Sequence, residues 1–297
     1  MKKNIYLLIL IPLFCSIAYA KTVIDQTGRK LRIPDNPQKV ISLAPNITEI
    51  IFAIKQEKRL IAATQYSDYP LKAAKLPTIG SYVRLDIEKI VSLKPDLCIG
   101  IKEGNPKNSI NRLAEFNIPV YAANPKDLDT VISSIIEIGY LLNAEKTASI
   151  LAEQMRNRIN KIKKAALKNQ NKPVIFFQID TNGFFSAGAD TFIHKLITAA
   201  GGKNAAEKTK GYPKFNKERI LKLSPDIIII ASMKKKKSFK EAEAKWKQFK
   251  SIPAVAANRI FSVNADIFNR PSPRIIKGLE QLFEIVEDYK KTDIKLP

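Results

Sequence analysis

The chain has 297 residues, of which 45% are apolar and 26% are charged, a composition typical of a globular protein rather than a disordered or fibrous one. The formal net charge of +22 favours nonspecific attraction to polyanions but says nothing about the fold. The single histidine, His194, and the two cysteines, Cys15 and Cys98, disfavour a Cys/His zinc site. Because nucleophile-elbow and phosphate-loop motifs are also missing from the sequence, we expect a protein that is not an enzyme.

Residues 1–20 have the three parts of a signal peptide. Lys2 and Lys3 supply the positive start, residues 5–17 are apolar, and Ala18-Tyr19-Ala20 matches the small-residue cleavage pattern. A membrane-spanning helix needs about 20 apolar residues, whereas this run is shorter and contains Pro12. The sequence therefore predicts export with cleavage after Ala20, and no stable membrane insertion afterwards.

Beyond the signal peptide, residues 21–33 have the pattern of a β-hairpin. Asn46 and Glu49 have the spacing of a capping box, which predicts a helix capped by Asn46. Short apolar runs then alternate with helical patterns, which predicts a mainly parallel sheet covered on both faces. The predicted strands are 40–43, 60–64, 96–101 and 120–122, and the predicted helices begin near Asp86, Ser109 and Leu128.

Residues 144–167 predict one long helix, because they are rich in strong helix formers. Apolar residues recur there at intervals of three to four, namely Ile150, Leu151, Met155, Ile159 and Ile162. A second alternating region follows, with strands at 174–179, 227–231 and 260–263 and helices at 191–200 and from 273 to about 290. We predict an α/β protein of two similar lobes with mainly parallel sheets, joined by a single backbone helix. The expected boundaries are 21–140, 141–171 and 172–297.

An internal repeat supports the two lobes. Tyr82 and residues 88–97 align with Tyr212 and residues 218–227 at a constant offset. In each copy a capping residue, Asp86 or Asn216, precedes a helix with Glu in its first turn, where the helix dipole favours an anion. A Pro-Asp pair then leads into an apolar strand. Two such copies on either side of one helix predict a cleft between lobes, where small ligands usually bind.

Four segments resemble one family: 65–70 (Gln-Tyr-Ser-Asp-Tyr-Pro), 88–96, 185–188 (Phe-Ser-Ala-Gly) and 266–274 (Asp-Ile-Phe-Asn-Arg-Pro-Ser-Pro-Arg). The family is the periplasmic substrate-binding proteins of ABC importers for cobalamin, haem and ferric siderophores. The first and last segments are most similar to its cobalamin-binding members. The resemblance covers essentially the whole mature chain and implies a monomeric, periplasmic protein that captures cobalamin or a related corrinoid and delivers it to an ABC permease.

The resemblance also implies the site. Two glutamates, Glu88 and Glu218, would dock into arginine pockets of the permease. Aromatic faces would pack on the macrocycle, while Asp266 and Arg270 would either hydrogen-bond its amide arms or pair with each other, four residues apart. No catalytic residue, metal site or cofactor other than the transported ligand is expected. The implied ligand-binding residues are Pro45, Tyr66, Tyr82, Phe185, Tyr212, Asp266 and Arg270.

Three alternatives stay open at this stage. The cobalamin-binding pattern has tryptophan where this chain has Tyr82, Ile101 and Tyr212, which leaves room for haem or a ferric siderophore as the ligand. An exported basic adhesion or nucleic-acid-binding protein would explain the charge but not the repeat, so no nucleic-acid partner is expected. A hydrolase is the least favoured, because His194 has no partner motif.

Overall fold

The strands of the protein fall into two distant groups along the chain. The computed structural model describes residues 20–168, 171–232 and 236–293, so the predicted signal peptide, except for Ala20, lies outside the described residues. The strands in this part of the chain are β1 (Ala20–Ile24), β2 (Lys30–Pro34), β3 (Val40–Ser42), β4 (Leu60–Ala63), β5 (Gly80–Ser81), β6 (Arg84–Leu85), β7 (Leu97–Ile101), β8 (Val120–Ala123), β9 (Val174–Gln178), β10 (Lys203–Asn204), β11 (Ile227–Ser232) and β12 (Ile260–Asn264).

Helices connect most of these strands, as the alternating pattern predicts. They are α1 (Pro45–Ala53), α2 (Ile87–Ser92), α3 (Lys107–Glu115), α4 (Leu128–Leu141), α5 (Glu145–Ala166), α6 (Phe192–Ala199), α7 (Lys217–Leu223), α8 (Lys236–Lys247), α9 (Pro253–Ala256), α10 (Ala265–Phe268) and α11 (Ile275–Asp293). None of the helices in the described part of the chain combines the length and the apolar character that crossing a bilayer requires.

Two separate four-stranded sheets form the framework of the described residues, with the strand orders β4-β3-β7-β8 and β10-β9-β11-β12. All neighbouring strands within them are parallel. The orders are equivalent, because β7 and β11 occupy the same position of the internal repeat and the same place in their sheets. The predicted α/β class with two similar, mainly parallel sheets is confirmed. Two antiparallel hairpins, β1-β2 and β5-β6, accompany the first sheet.

Within the described part of the chain, the buried apolar residues form one large cluster and two smaller ones. The large cluster contains residues of both sheets, such as Ile99 and Phe177, together with Ile135 of α4 and Met155 of α5. The two smaller clusters each cover the other face of one sheet. Because the large cluster is continuous through α4 and α5, the two sheets are connected by packed apolar side chains as well as by the chain itself.

The long helix α5 has 22 residues, about 33 Å at 1.5 Å per residue. Its buried stripe differs from the prediction at one position, because Ile150 is 50% exposed and Ala148 and Ala152 are buried instead. The reason is close packing against α4. A methyl group added to Gly139 of α4 would lie only 2.3 Å from the Cβ atom of Ala148. The contact face of α5 therefore takes small residues and turns Ile150 outward.

The predicted capping box at the start of the first helix is wrong. Helix α1 begins at Pro45, its N-cap is Ala44, and no side chain caps it. Proline is well suited to the first helical turn because its fixed φ is already helical and its missing N–H has no partner there. Asn46 lies inside the helix, and its amide is 3.5 Å from the carbonyl oxygen of Pro271. Glu49, the other half of the predicted box, bonds elsewhere, as described below.

The internal repeat is visible in the backbone at the ends of α2 and α7. Lys94 and Ser224, which align in the repeat, both have positive φ values, of 47° and 43°. A left-handed residue ends a helix, and the proline that follows each of them prevents the helix from continuing. Two copies of the sequence thus make the same turn into β7 and β11.

The aspartate that follows each proline anchors the next strand. The Asp96 carboxylate accepts hydrogen bonds from the backbone N–H groups of Gln38 and Lys39, at 2.7 and 2.8 Å. The Asp226 carboxylate accepts one from Val174 at 2.8 Å. Each aspartate therefore connects the central strand β7 or β11 to the start of its neighbour, β3 or β9.

We expect Asp96→Ala and Asp226→Ala each to lower the free energy of unfolding by about 1–3 kcal/mol, because backbone N–H groups lose a charged acceptor. Asp96→Ala is expected to be the more severe, since two donors lose their acceptor. Urea denaturation followed by circular dichroism measures both, with the exposed Asp129→Ala as the control. Equal, negligible losses would show that the aspartates do not anchor these strands.

Candidate ligand-binding site

Two tyrosines form the first wall predicted for the cleft. Tyr66 follows β4, and Tyr82 lies in the turn between β5 and β6. Their rings meet edge to face, with centroids 6.1 Å apart and an interplanar angle of 68°, an arrangement that the quadrupoles of aromatic rings favour. Tyr66 is 44% exposed and Tyr82 is half-buried. The pair therefore presents aromatic surface outward while each ring supports the other. Pro45, by contrast, is buried at the start of α1 and offers a ligand little surface.

The second wall comes from the second half of the chain. Phe185 forms an isolated antiparallel bridge with Lys214, and the Lys214 Nζ atom is 5.4 Å from the centroid of the Phe185 ring. This distance is within the range of a cation–π interaction. Tyr212, two residues before Lys214, is 61% exposed. The structure thus brings Phe185 and Tyr212 onto neighbouring segments, as an aromatic wall needs.

A charged residue near the first wall influences a tyrosine of the second wall. Partial desolvation raises the pKa of Tyr212, and the negative charges of Glu103 and Asp190 raise it further. Glu103 follows β7 of the first sheet, and a methyl group on its neighbour Gly104 would lie 3.1 Å from the Tyr82 ring. Charges act on one another over roughly 10 Å or less at ordinary ionic strength. The charge of Glu103, in the loop beside Tyr82, therefore acts on Tyr212 in the other wall.

We expect Glu103→Gln to lower the pKa of Tyr212, without returning it to the ordinary value, because partial desolvation is the larger cause of the shift. Alkaline titration of phenolate absorbance measures this, with Tyr212→Phe identifying the contribution of Tyr212. The exposed Glu115→Gln in α3 is the matched control. If Glu103→Gln and the control give the same titration curve, the charge of Glu103 does not influence the pKa of Tyr212.

Arg270 lies in an acidic corner with its side chain only 11% exposed. It forms ion pairs with Asp266 at 2.9 Å and Asp68 at 2.7 Å, and its Nη1 atom is 3.4 Å from Glu49. Burial alone would lower the pKa of Arg270, but the three carboxylates raise it, so the guanidinium stays charged. The pairing of Asp266 with Arg270 that the sequence left open is thus present in the structure.

Behind this corner, Glu49 accepts hydrogen bonds from the segment that follows α10. Its side chain is 2% exposed. It accepts from Ser272 Oγ at 2.5 Å and Arg274 Nε at 2.8 Å, and a second, shorter contact joins it to Arg274 Nη2. The Arg274 guanidinium also lies 3.8 Å from the centroid of the Tyr69 ring. We call Glu49, Asp68, Asp266, Arg270, Ser272 and Arg274 the interlobe charge cluster, because its members come from both halves of the chain.

Four of the six residues of the interlobe charge cluster were not among the predicted site residues. Asp68, Ser272 and Arg274 belong to segments that carry the family resemblance, but no role was predicted for them. Glu49 was assigned to a cap. A signal did exist: two arginines within the five residues 270–274 require acidic partners if they are buried. The sequence could not show which acid supplies them, because Glu49 is more than 200 residues away.

Glu88 and Glu218 occupy equivalent, exposed positions. They lie in the first turns of α2 and α7, whose N-caps Asp86 and Asn216 accept hydrogen bonds from the third helical N–H group. These helical positions confirm the prediction from the repeat. Glu218 is 2.9 Å from Lys222, and both side chains are about three-quarters exposed, so this pair contributes little to stability.

Two surface hollows are lined by residues other than the seven predicted to bind the ligand. One, of about 500 Å³, adjoins Glu88 and includes Gln65 and Ser81, the neighbours of Tyr66 and Tyr82. The other, of about 510 Å³, lies beside His194. Burial lowers the pKa of His194, and its Nδ1 atom is 3.3 Å from the Asn204 amide. The candidate site is defined by its aromatic walls and by the interlobe charge cluster.

The sequence profile of the periplasmic binding proteins matches residues 40–267, a span that includes both four-stranded sheets. The chain belongs to this family of periplasmic binding proteins. The family consists of transport components, so the prediction that the chain is not an enzyme is confirmed, as is the resemblance inferred from its motifs.

Individual relatives bind different chelates. A vitamin B12-binding protein of Yersinia pseudotuberculosis is 30% identical over 246 residues, which are 82% of this chain and 85% of that protein. The crystal structure of the periplasmic vitamin B12-binding protein of Vibrio cholerae has a TM-score of 0.78 at 26% identity, covering 87% of this chain and all of that chain. The periplasmic haem-binding protein of Roseiflexus sp. RS-1, in its apo form, has a TM-score of 0.77 at 25% identity, covering 85% and 98%.

Proposed function

We propose that this protein captures cobalamin or a related corrinoid in the cleft between its two lobes and delivers it to the permease of an ABC importer. The observation that carries the proposal is the similarity to the Yersinia vitamin B12-binding protein over most of both chains. The predicted signal peptide and the membership in a periplasmic family support a periplasmic location. In this proposal the protein acts as a monomer. Its two lobes are residues 21–140 and 172–297, and residues 141–171 connect them.

The geometry supports a large, flat ligand with polar arms. Tyr66 and Tyr82 on one side and Phe185 and Tyr212 on the other supply aromatic surface, and each well-placed aromatic pair contributes about 0.5–1.5 kcal/mol beyond burial. Asp266 accepts hydrogen bonds and Arg270 donates them, which suits the amide arms of a corrin ring. Because Asp266 and Arg270 are paired with each other, binding exchanges part of this pairing for contacts with the ligand.

A second candidate is haem or a ferric siderophore, which the Roseiflexus relative and the cations near the walls support. Lys214 lies over the Phe185 ring, and Arg84 is exposed two residues after Tyr82. Either cation would pair with a carboxylate of the ligand. A corrinoid is favoured over these ligands by the higher sequence identity of the vitamin B12-binding relatives, 30% and 26% against 25%.

The test is a titration of the purified protein with cyanocobalamin, haemin and a panel of ferric siderophores, followed by visible absorbance and by calorimetry. We expect saturable binding of cyanocobalamin at micromolar protein. Tyr82→Ala and Tyr212→Ala should each weaken it about 10- to 100-fold, as removal of a central aromatic contact does. Tyr140→Ala, which removes an exposed ring that contacts Lys21, is the control. Saturable binding of haemin alone would establish the second candidate instead.

A further inference from the structure

Asn105 is a buried amide directly behind Tyr82. It is 7% exposed, and its side chain makes three hydrogen bonds. Oδ1 accepts from the Ile101 N–H group at 2.7 Å, and Nδ2 donates to the carbonyl oxygens of Leu43 and Tyr82, each at 2.8 Å. One side chain thus connects the ends of β3 and β7 with the turn that carries Tyr82.

The backbone around Asn105 leaves room for this arrangement. A methyl group on Gly100 would lie 2.4 Å from Asn105 Oδ1, and one on Gly104 would lie 3.1 Å from the Tyr82 ring. Gly104 also has a φ of +130°, which side chains rarely allow. Both glycines therefore permit close approach, one for the amide and one for the aromatic ring.

Gln178 has a similar place behind the second wall. It is 1% exposed, and its Nε2 atom donates to the carbonyl oxygens of Asp180 and Gly183 at 2.7 and 2.9 Å. Its Oε1 atom accepts from the indole N–H of Trp246 at 2.6 Å. The Trp246 ring is fully buried and lies 4.8 Å from the ring of Phe184. Gln178 and Trp246 thus anchor the loop of residues 180–183, which comes just before Phe185.

We propose that Asn105 and Gln178 are positioning residues that hold the two aromatic walls in their ligand-binding arrangement before a ligand arrives. The inference rests on the proposed function, because it assumes that these walls contact the ligand. Its physical basis is that loops are mobile unless they are anchored. Ordering a loop during binding costs free energy that an already ordered loop does not lose. Buried amides suit this role, since one amide can satisfy several backbone groups at once.

A double-mutant cycle separates positioning from general stability. We expect Asn105→Ala to weaken cyanocobalamin binding about tenfold, and to weaken it no further when Tyr82 is already alanine. Gln178→Ala should behave in the same way with Phe185→Ala. Asn108→Ala and Gln154→Ala, which remove exposed amides in α3 and α5, are the controls. Fully additive losses in either cycle would overturn the inference for that amide.

A readout without ligand completes the test. In protein labelled with 3-fluorotyrosine, the ¹⁹F resonance of Tyr82, assigned with Tyr82→Phe, should shift or broaden in Asn105→Ala and stay unchanged in Asn108→Ala. Asn105→Ser serves if the alanine variant does not fold. An unchanged Tyr82 resonance overturns the inference for Asn105, whatever the protein binds. A changed resonance, in a protein that binds none of the chelates, supports the positioning of Tyr82 and refutes the proposed function alone.

Discussion

Glu49→Ala is expected to lower the free energy of unfolding by about 3–5 kcal/mol, because it removes one member of a buried ion pair and leaves the other behind. The Glu49 side chain is 2% exposed and the Arg274 side chain 13%. Without the carboxylate, the Arg274 guanidinium keeps its contact with Tyr69 but has no anion at Glu49. Ser272 loses its acceptor in the same change.

Chemical denaturation measures this loss, with the exposed Glu115→Ala as the control for removing a glutamate. The pair Glu49→Gln and Arg274→Gln extends the test. Combining them should cost less than the sum of the two single changes, because the second change removes the charge that the first left unpaired. Additive losses would show that Glu49 and Arg274 are not coupled. A Glu49→Ala protein as stable as the control would show that the interlobe charge cluster does not stabilise the fold.

Glu88→Lys combined with Glu218→Lys is expected to abolish uptake in a reconstituted importer while leaving ligand affinity unchanged. Both glutamates are exposed in equivalent first turns. We propose, as the family resemblance implies, that they meet arginines of the permease, so that reversing both charges replaces attraction with repulsion. Interfacial charges of this kind mainly govern encounter and register, which is why transport rather than binding should change.

The control is Glu115→Lys combined with Glu241→Lys, which makes the same change in net charge at exposed positions of α3 and α8. It should leave transport intact. Ligand affinity is measured for both double variants by the same titration. Normal transport by the Glu88 and Glu218 double variant would contradict the docking role. Loss of ligand affinity in that variant would instead place the two glutamates in the ligand site.

Local signals predicted most of the framework. The apolar run at 227–231 corresponds to β11, all of whose residues are buried, and the helix-forming stretch at 144–167 corresponds to α5. Asp86 and Asn216 cap helices as predicted. These features depend on residues that are close together in the chain, so they can be predicted from the sequence. Ile150 and Glu49 were misplaced for the opposite reason, since the first depends on the close approach of α4 and the second on arginines far along the chain.

The amino-acid sequence by itself determined the α/β class, the internal repeat, the long helix and the family, because periodicity, caps and motifs are local properties of the chain. Only the tertiary structure decided that Glu49 binds Arg274, that Arg270 is shared among three carboxylates, and that Asn105 and Gln178 stand behind the aromatic walls. The contacts of Glu49 join helix α1 to the segment after α10, more than 200 residues further along the chain. The partners in these contacts are close together in space but far apart in the chain, so the sequence alone does not identify them.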